Sequence, residues 1–378
     1  MGYVAVKGGS EAIEYSNTLL NYERIKGGSA PLEIDQIRDQ LYLLVDRIMG
    51  EGSLYAPDLA ALAIKQSAGD TLEASLMVRA FRTTLPRIGY SLPGSAQKMR
   101  IIRRISAAFK DIPGGQILGP TSDYSLRLLN FELCQESSKT KEESLRTLLG
   151  ELSFPDPNQE PFLESFPKVI EILRKEGLLM ESIPRHHLST DHQRTVFDLT
   201  RQSLTFPAPR SAQLQAMARG ETGGLLALAY TNMRGYGDIH PVIGELRVGF
   251  LPVTIRHPYS GVPYHVGEVK VTEAEIIARF VGKEGPPKFT LGYGLCYGQN
   301  EIKAISMAIL DRAMQTEEPQ AVSENQEFVL SHIDGIESMG FCNHWKLPHY
   351  VTFQSDLDRL RKARDQEEFI GPLDGELS

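Results

Sequence analysis

The stretch "GELRVGFLPVTIRHPYSGVPYHVGEVKVTEAEI", residues 244–276, decides the fold class of this chain. Its two halves, 244–257 and 262–276, alternate polar and β-branched residues on either side of the tetrapeptide "PYSG". Alternation with a period of two is typical of β-strands, and a short segment containing proline and glycine is typical of the turn between them. The stretch therefore predicts a pair of strands in a mixed or antiparallel sheet.

Helical patterns surround this pair of strands. The segment 288–298, "KFTLGYGLCYG", predicts another strand, which leads into a helix over 300–315. Farther upstream, 31–52 has apolar residues at helical spacing and ends in two glycines, and 56–70 and 71–85 predict two more helices. The fold class is therefore predicted to be α+β, with helices first and a sheet with flanking helices later.

The chain divides into three predicted regions. Residues 1–134 form a mostly helical N-terminal domain that opens with a short strand at 3–7, "YVAVK". The polar, proline-containing range 135–210 is predicted to be a variable linker or surface insertion. Residues 211–378 form the α+β C-terminal domain, which ends in a charged amphipathic helix, "FQSDLDRLRKARDQEE".

Composition excludes several classes of protein. The chain has 378 residues and a formal net charge of -8, which does not favour nucleic acid or an anionic membrane as a partner. No apolar run approaches the ~20 residues of a membrane span. Its three cysteines are scattered and form no CxxC, so a disulfide framework or an iron–sulfur cluster built by this chain alone is not expected. A reduced, cytoplasmic protein is predicted.

Two histidines near the end of the chain are candidate metal ligands. The segment 341–353, "FCNHWKLPHYVTF", contains His344 and His349 with Pro348 between them. On a continuous helix these side chains point ~140° apart, but Pro348 favours a turn, in which the two imidazoles can converge. Zinc needs three or four ligands, so others must come from elsewhere in the fold, another chain or the substrate. Alternatively, the two histidines only form hydrogen bonds.

Glycine-rich segments are candidate phosphate sites. "GYGLCYGQNEIK", 292–303, has the spacing GxGxxxG between a predicted strand and a predicted helix, which departs from the dinucleotide-binding pattern GxGxxG. Its glycines either approach a phosphate or serve a tight turn or bulge. The same alternatives hold for Gly114 and Gly115 in "KDIPGGQILGPTSDY", 110–124, which is predicted to be an ordered loop.

Basic residues precede that loop in "MRIIRRISAAFK", 99–110. On a helix, Arg100, Arg103 and Arg104 would be neighbours and could grip a polyphosphate, because guanidinium groups bind phosphate in a bidentate manner. The alternative is a solvated basic face. Glu245 lies at the end of another polar cluster, in 226–247, which either serves acid–base chemistry or forms a satisfied network of ion pairs.

Five segments together resemble one known family. In chain order they are "YVAVKGG", "RRISAAFKDIPGGQILGPTSDY", "LALAYTNMRGYG", "FTLGYGLCYGQNE" and "KLPHYVTFQ". They resemble the nucleosidase-like subunit of the bacterial carbon–phosphorus lyase core complex, a subunit of α-D-ribose 1-methylphosphonate 5-triphosphate synthase. The resemblance extends from Tyr3 to about Arg361 and is weakest over 135–210.

The resemblance implies a role in phosphonate catabolism. Such proteins transfer the ribose triphosphate of ATP, with Mg²⁺, to methylphosphonate at C1′ with release of adenine, and alone they act as nucleosidases. Implied partners are an iron–sulfur radical subunit and ATP-binding-cassette-like subunits, in a hetero-oligomer that contains a homodimer of this chain. The alternative is a structural hub that contributes half-sites without independent catalysis.

The resemblance also implies a role for the histidine pair, whereas the other site residues are our hypotheses. In similar proteins the two histidines of HxxxxH bind zinc where this subunit meets the iron–sulfur subunit; here they are His344 and His349, followed by Tyr350, and Trp345 replaces a common leucine. We hypothesise that the triphosphate is held by Arg103, Arg104, Lys110, Gly114 and Gly115. Candidate carboxylates for stabilising positive charge at C1′ are Asp111, Asp123 and Glu245.

Overall fold

One four-stranded antiparallel sheet organises the chain. The computed structural model describes residues 9–152, 166–180, 197–235, 241–281 and 286–365. In chain order and in spatial order the strands are β1 (Arg100–Ile105), β2 (Val242–Arg256), β3 (Pro263–Val281) and β4 (Lys288–Tyr297). The predicted α+β class is confirmed, and the strand expected at 3–7 lies outside the described residues.

The stretch that predicts paired strands forms the β2–β3 hairpin. Pairing runs from Arg256 opposite Pro263 to Val242 opposite Ile277. At the turn, the amide of Gly261 donates to the carbonyl of His257, and Gly261 has a φ of 70°, a conformation that glycine adopts without steric cost. The turn thus fixes the register of the sheet, and the register decides which side chains face the helices.

Helices occupy both ends of the described chain. The predicted helix over 31–52 is divided in two at Leu41, and the predicted helices over 56–70, 71–85, 300–315 and the tail are present. The helices are α1 (Ser10–Ile25), α2 (Ile34–Gln40), α3 (Tyr42–Gly52), α4 (Pro57–Gln66), α5 (Thr71–Thr84), α6 (Lys141–Glu151), α7 (Ile170–Lys175), α8 (Arg210–Arg219), α9 (Thr222–Gly235), α10 (Glu301–Ala313), α11 (Gln326–His332), α12 (Gly335–His344) and α13 (Tyr350–Asp365).

The hydrophobic core has two main parts. Helices α2 to α5 pack around Ile37, Ile48 and Val78, which are at most 3% exposed. One face of the sheet, which includes Leu246 and Ile276, packs against α8, α9, α10 and α11. Burial of aliphatic side chains contributes roughly 1.5–3 kcal/mol each, so both parts stabilise the molecule substantially.

Two glycines let α10 lie directly on β4. A β-carbon at Gly294 would lie 2.0 Å from the carbonyl oxygen of Ala304, and one at Gly292 would lie 1.9 Å from that of Ala308. Both glycines are buried within β4. The two glycines therefore allow the strand and the helix to pack closely. This packing favours a structural role for them over the alternative that they approach a phosphate.

The basic segment 99–110 does not form the expected helix. Residues 100–105 are the edge strand β1, paired with β2. Arg103 and Arg104 point to opposite faces of the sheet, because side chains alternate along a strand, and both are 0% exposed. The expectation of neighbouring arginines on one helical face is therefore wrong, and so is the alternative of a solvated basic face for these two.

Part of the predicted linker packs on the sheet. Leu179 forms an isolated parallel bridge with Phe289 of β4, and Ile170 and Leu173 of α7 pack with Ile277.

No helix of the described residues is long and apolar enough to cross a membrane. The three cysteines, Cys134, Cys296 and Cys342, are unpaired.

Candidate functional site

The second face of the sheet carries buried charges next to the apolar cluster of Ile277, Ile170 and Leu173. Glu245 and Arg247 of β2 lie opposite Glu275 and Glu273 of β3, and all four are at most 6% exposed. Because β-strand side chains alternate with a period of two, residues 245, 247, 273 and 275 share one face. Carboxylates opposite each other repel, so this face requires counter-charges.

Arg104 supplies one counter-charge and anchors two segments. Its Nε donates to Glu245 Oε1 at 2.6 Å, and both side chains are at most 1% exposed. Its remaining nitrogens donate to the carbonyl oxygens of Pro113 (2.7 Å), Gly115 (2.9 Å) and Pro167 (2.8 Å). Arg104 therefore holds both the glycine-rich loop and the segment before α7 against the charged face.

Lys168 covers the two glutamates of β3. Its ammonium pairs with Glu273 and lies 3.2 Å from Glu275 Oε1. Burial, opposed by Lys168, raises the pKa of Glu275 above its usual range. Burial and Glu273 also raise the pKa of Tyr293, which therefore stays protonated and donates to Glu273 Oε1 at 3.0 Å.

Arg103 forms a second ion-pair group on the opposite face. It pairs with Asp123 and, through Nε at 3.0 Å, with Glu301 at the start of α10. It also donates to the carbonyl oxygen of Leu118 at 2.6 Å. Burial raises the pKa of Glu301, and Arg103 opposes this shift. Four residues that were predicted to belong to the site therefore form two ion pairs with each other. Arg103 pairs with Asp123, and Arg104 pairs with Glu245.

The remaining predicted residues lie on the exposed surface of the loop. The amide of Gly115 donates to the carbonyl of Ile112 at 2.9 Å, and Gly114 and Gly115 have φ angles of 84° and 75°. Proline followed by a glycine with positive φ is the pattern of a type II turn. Lys110 and Asp111 precede this turn and are exposed. The loop thus presents one cation and one carboxylate beside two glycines.

Sequence reasoning missed Lys168, Arg247 and Tyr293 as members of the charged face. Lys168 falls in the range that was predicted to be a linker, and its partners Glu273 and Glu275 are 105 and 107 residues away. A signal was present in β2 and β3, because charged residues recur at every second position in strands that are otherwise β-branched. That recurrence indicates a polar face which another segment must cover.

The two histidines face each other across the turn between α12 and α13. Their Nε2 atoms are 3.1 Å apart, and the ring of Trp345 stacks on that of His349. The Nδ1 atoms lie 3.3 Å and 2.6 Å from the carbonyl oxygens of Phe341 and Leu347. The expectation that the turn lets the imidazoles converge is confirmed.

This arrangement fits a shared cation. A carbonyl oxygen only accepts hydrogen bonds, so these contacts favour the tautomer in which Nδ1 carries the proton and Nε2 presents a lone pair. Two lone pairs at 3.1 Å need a cation or a proton between them. Zinc–nitrogen bonds of ~2.05 Å in tetrahedral geometry separate the nitrogens by about 3.3 Å. Among the described residues there is no group of three or more His, Cys, Asp or Glu that could complete a metal site.

The fold and these sites define an α+β protein with buried charge networks and a pair of facing histidines. The chain matches the model of the family described as "Bacterial phosphonate metabolism protein (PhnI)" over residues 2–367. It belongs to this family, and the resemblance to a subunit of α-D-ribose 1-methylphosphonate 5-triphosphate synthase, a component of carbon–phosphorus lyase, is confirmed.

Three relatives are similar over nearly their whole length. A protein of Stutzerimonas stutzeri named "Putative C-P lyase subunit protein HtxH" is 53% identical, with 97% of each chain covered. Proteins of Rhizobium meliloti and Escherichia coli, both named "Alpha-D-ribose 1-methylphosphonate 5-triphosphate synthase subunit PhnI", are 44% and 42% identical. The match covers 97% of this chain in both cases, and 96% and 99% of the relatives.

Proposed function

We propose that this chain is the glycosyl-transferring subunit of α-D-ribose 1-methylphosphonate 5-triphosphate synthase. It transfers the ribose triphosphate of ATP to methylphosphonate at C1′ and releases adenine. The observation that carries the proposal is its identity of 42–44% with two full-length relatives that bear this name. The chain acts in the cytoplasm, and when it is separated from its partners water replaces the phosphonate as the nucleophile.

The chemistry requires a negative charge near C1′ and a proton for the leaving base. The bond between C1′ and adenine breaks, a bond between C1′ and a phosphonate oxygen forms, and adenine leaves after protonation. The ribose gains oxocarbenium character, which a carboxylate stabilises. Asp111 is exposed, and it is the candidate carboxylate that no hydrogen bond or ion pair engages among the described residues.

The other carboxylates differ from Asp111 in their partners. Asp123 is held by Arg103 and Arg127, and Glu245 is 2% exposed and saturated by Arg104, Arg247 and the amide of Val169. In this arrangement Asp123 and Glu245 hold the arginines that position the glycine-rich loop 110–124. The exposed Lys110 and the backbone at Gly114 and Gly115 meet the triphosphate with its Mg²⁺, while Arg103 and Arg104 hold that loop in place.

Adenine release tests the proposal. We expect the purified chain to release adenine from ATP, and Asp111→Asn to lower that rate by about 10²-fold, the usual size of an acid–base or charge contribution. Free adenine is quantified by chromatography, with and without partner subunits and methylphosphonate. Asp356→Asn, an exposed change on α13, is the control. Absence of adenine under every condition would favour the alternative of a structural hub without independent catalysis. Unchanged activity of Asp111→Asn would show that Asp111 is not the carboxylate that stabilises the charge at C1′.

The proposal assigns His344 and His349 to a zinc ion shared with the iron–sulfur subunit. When bound, zinc would crosslink the two chains or polarise an oxygen of a ligand. The residues of this chain contribute two nitrogens whose orientation is fixed by backbone carbonyls, as is usual for metal-binding histidines. The remaining ligands come from the partner or the substrate.

Metal content of the assembled complex checks this assignment. We expect about one zinc per chain in the wild type and none in the double variant His344→Ala, His349→Ala. A zinc site of three or four ligands that loses these two keeps only one or two, which do not hold the ion. Elemental analysis by mass spectrometry gives the stoichiometry. His332→Ala, which removes an exposed histidine of α11, should leave zinc unchanged. Equal zinc in the double variant and the wild type would disprove the assignment.

Exposed apolar surfaces favour an additional role as a hub. Helix α1 has no buried residue and exposes Leu20 (65%) and Tyr22 (58%). The segment 118–133 exposes Leu126 at 87% and Leu129 at 82%. Contiguous exposed apolar surface marks sites of association. We propose that these surfaces contact the partner subunits, including ATP-binding-cassette-like ones, and a second copy of this chain.

A further inference from the structure

A cleft at the C-terminal end of α3 is lined by two arginines. It lies between the C-terminal end of α3, the turn at 199–200, α8 and the end of β4, and its volume is about 360 Å³. Arg82 and Arg219 line it together with Thr200 and Gln215, and Leu295 and Tyr297 are on the wall formed by β4. The volume is within the range of about 300–1,000 Å³ that is typical of small-molecule sites.

The neutral polar groups of the cleft are already hydrogen-bonded. Gln215 accepts from the amide of Leu199 and donates to the carbonyl of Phe197. The Thr200 hydroxyl donates to Asp198 and accepts from Arg87. These groups shape the cleft, but they offer little to a ligand.

The two cations of the cleft are less fully engaged by the described residues than these neutral groups. The guanidinium of Arg82 forms no hydrogen bond or ion pair within the described residues, and that of Arg219 reaches Asp334 only at 3.5 Å. Burial lowers the pKa of Arg82, and the charges of Arg219, Arg79 and Arg87 lower it further, against one opposing carboxylate, Asp198. Positive charges that repel each other in a cleft favour the binding of an anion.

A buried lysine behind the cleft adds a second, independent observation. Lys303 is 0% exposed, and its Nζ has no hydrogen-bond partner in the part of the chain that the structure describes. This Nζ lies 3.7 Å from where a β-carbon on Gly50 would stand, and Gly50 lines the cleft, as does Cys296. Burial lowers the pKa of Lys303, and the carboxylates of Glu51 and Glu221 oppose this shift. Burial raises the pKa of Cys296 to about 11, so its thiol is protonated at neutral pH.

We infer that this cleft binds a tetrahedral phosphorus oxyanion through Arg82 and Arg219, with Lys303 behind it. Guanidinium groups form bidentate hydrogen bonds with such oxygens. Two anions of the proposed reaction have this chemistry, methylphosphonate and the triphosphate of ATP. The assignment to a substrate rests on the proposed function, whereas the binding of the oxyanion does not.

Binding measurements test the inference without requiring catalysis. Methylphosphonate, ATP and inorganic phosphate are each titrated into the full chain by calorimetry. We expect Arg82→Gln and Arg219→Gln each to weaken binding of at least one of them by about tenfold or more, since hydrogen bonds between a guanidinium and an oxyanion are stronger than those between neutral groups. Arg82→Lys should retain part of the affinity. Arg256→Gln, at the far end of β2, is the matched control and should bind as the wild type.

The pattern of losses identifies the ligand. A loss for methylphosphonate alone assigns the cleft to the phosphonate, and a loss for ATP alone assigns it to the triphosphate. Hydrogen exchange of the wild type adds a test that needs no variant, because the bound anion should protect the peptides around residues 82 and 219. Unchanged affinity in both glutamine variants, or no protection at saturating anion, would overturn the inference. Anion binding without adenine release would contradict only the proposed function.

Discussion

Arg104→Met is expected to lower the free energy of unfolding by about 3–5 kcal/mol, the usual cost of removing one partner from a buried ion pair. Glu245 would remain buried with Arg247 as its cation, and the carbonyl oxygens of Pro113, Gly115 and Pro167 would lose their donor. Unfolding in urea, followed by circular dichroism, gives the change. Limited proteolysis within 110–119 should also become faster, because this loop loses its anchor.

The same strand provides the control. Arg100 is also an arginine of β1, but its side chain is 54% exposed and pairs with Glu268 at the surface. Exposed ion pairs contribute only about 0–1 kcal/mol, so Arg100→Met should have a small effect. Equal destabilisation by the two substitutions would show that burial of the Arg104–Glu245 pair does not hold this region together.

Gly294→Val is expected to be the most damaging single substitution in the sheet. Its β-carbon alone would lie 2.0 Å from the carbonyl oxygen of Ala304, a backbone atom that cannot turn away. Helix α10 would have to leave β4 and expose a core that includes Met307 and Ala308. We expect a loss of more than about 3 kcal/mol, the upper range for overpacked cores, and a drop in soluble yield.

Gly294→Ala and Gly150→Ala complete this experiment. Gly294→Ala has the same clash of the β-carbon but adds fewer atoms. Its midpoint of unfolding in urea should therefore lie between those of the wild type and of Gly294→Val. Gly150 lies in helix α6, and a β-carbon there meets nothing within 4 Å. Alanine is a better helix former than glycine, so Gly150→Ala should be neutral or slightly stabilising. Wild-type stability of Gly294→Val would contradict the packing of α10 on β4.

The periodic parts of the fold could be predicted from the sequence. The hairpin of β2 and β3 and the helices α4, α5 and α10 follow from hydrophobic periodicity, which depends on residues close in the chain. Strand β1 could not be predicted, because its arginines are compensated by Asp123, Glu245 and Glu301, up to 198 residues away. Tertiary contacts decided the local conformation.

The candidate site was predictable to different degrees. Pro348 and the spacing of His344 and His349 were sufficient to predict convergence, because all the geometry lies within one turn. The arginines and carboxylates were named as candidates with separate roles, and the pairing of Arg103 with Asp123 and of Arg104 with Glu245 was not foreseen. Pairing depends on which face of a strand each side chain occupies, and that requires the register of β1 against β2. Lys168 was missed for the same reason.

The position of β1 in the chain has a consequence for biosynthesis. Arg104 and its carboxylate partner Glu245 are separated by 141 residues. At about 5–20 residues per second, the ribosome needs roughly 7–30 s to synthesise that interval. Until β2 is made, β1 is an unpaired edge strand, and Arg104 has no Glu245 with which to pair. Charged residues on an unpaired edge oppose aggregation, so an arginine that later becomes fully buried also protects the nascent chain.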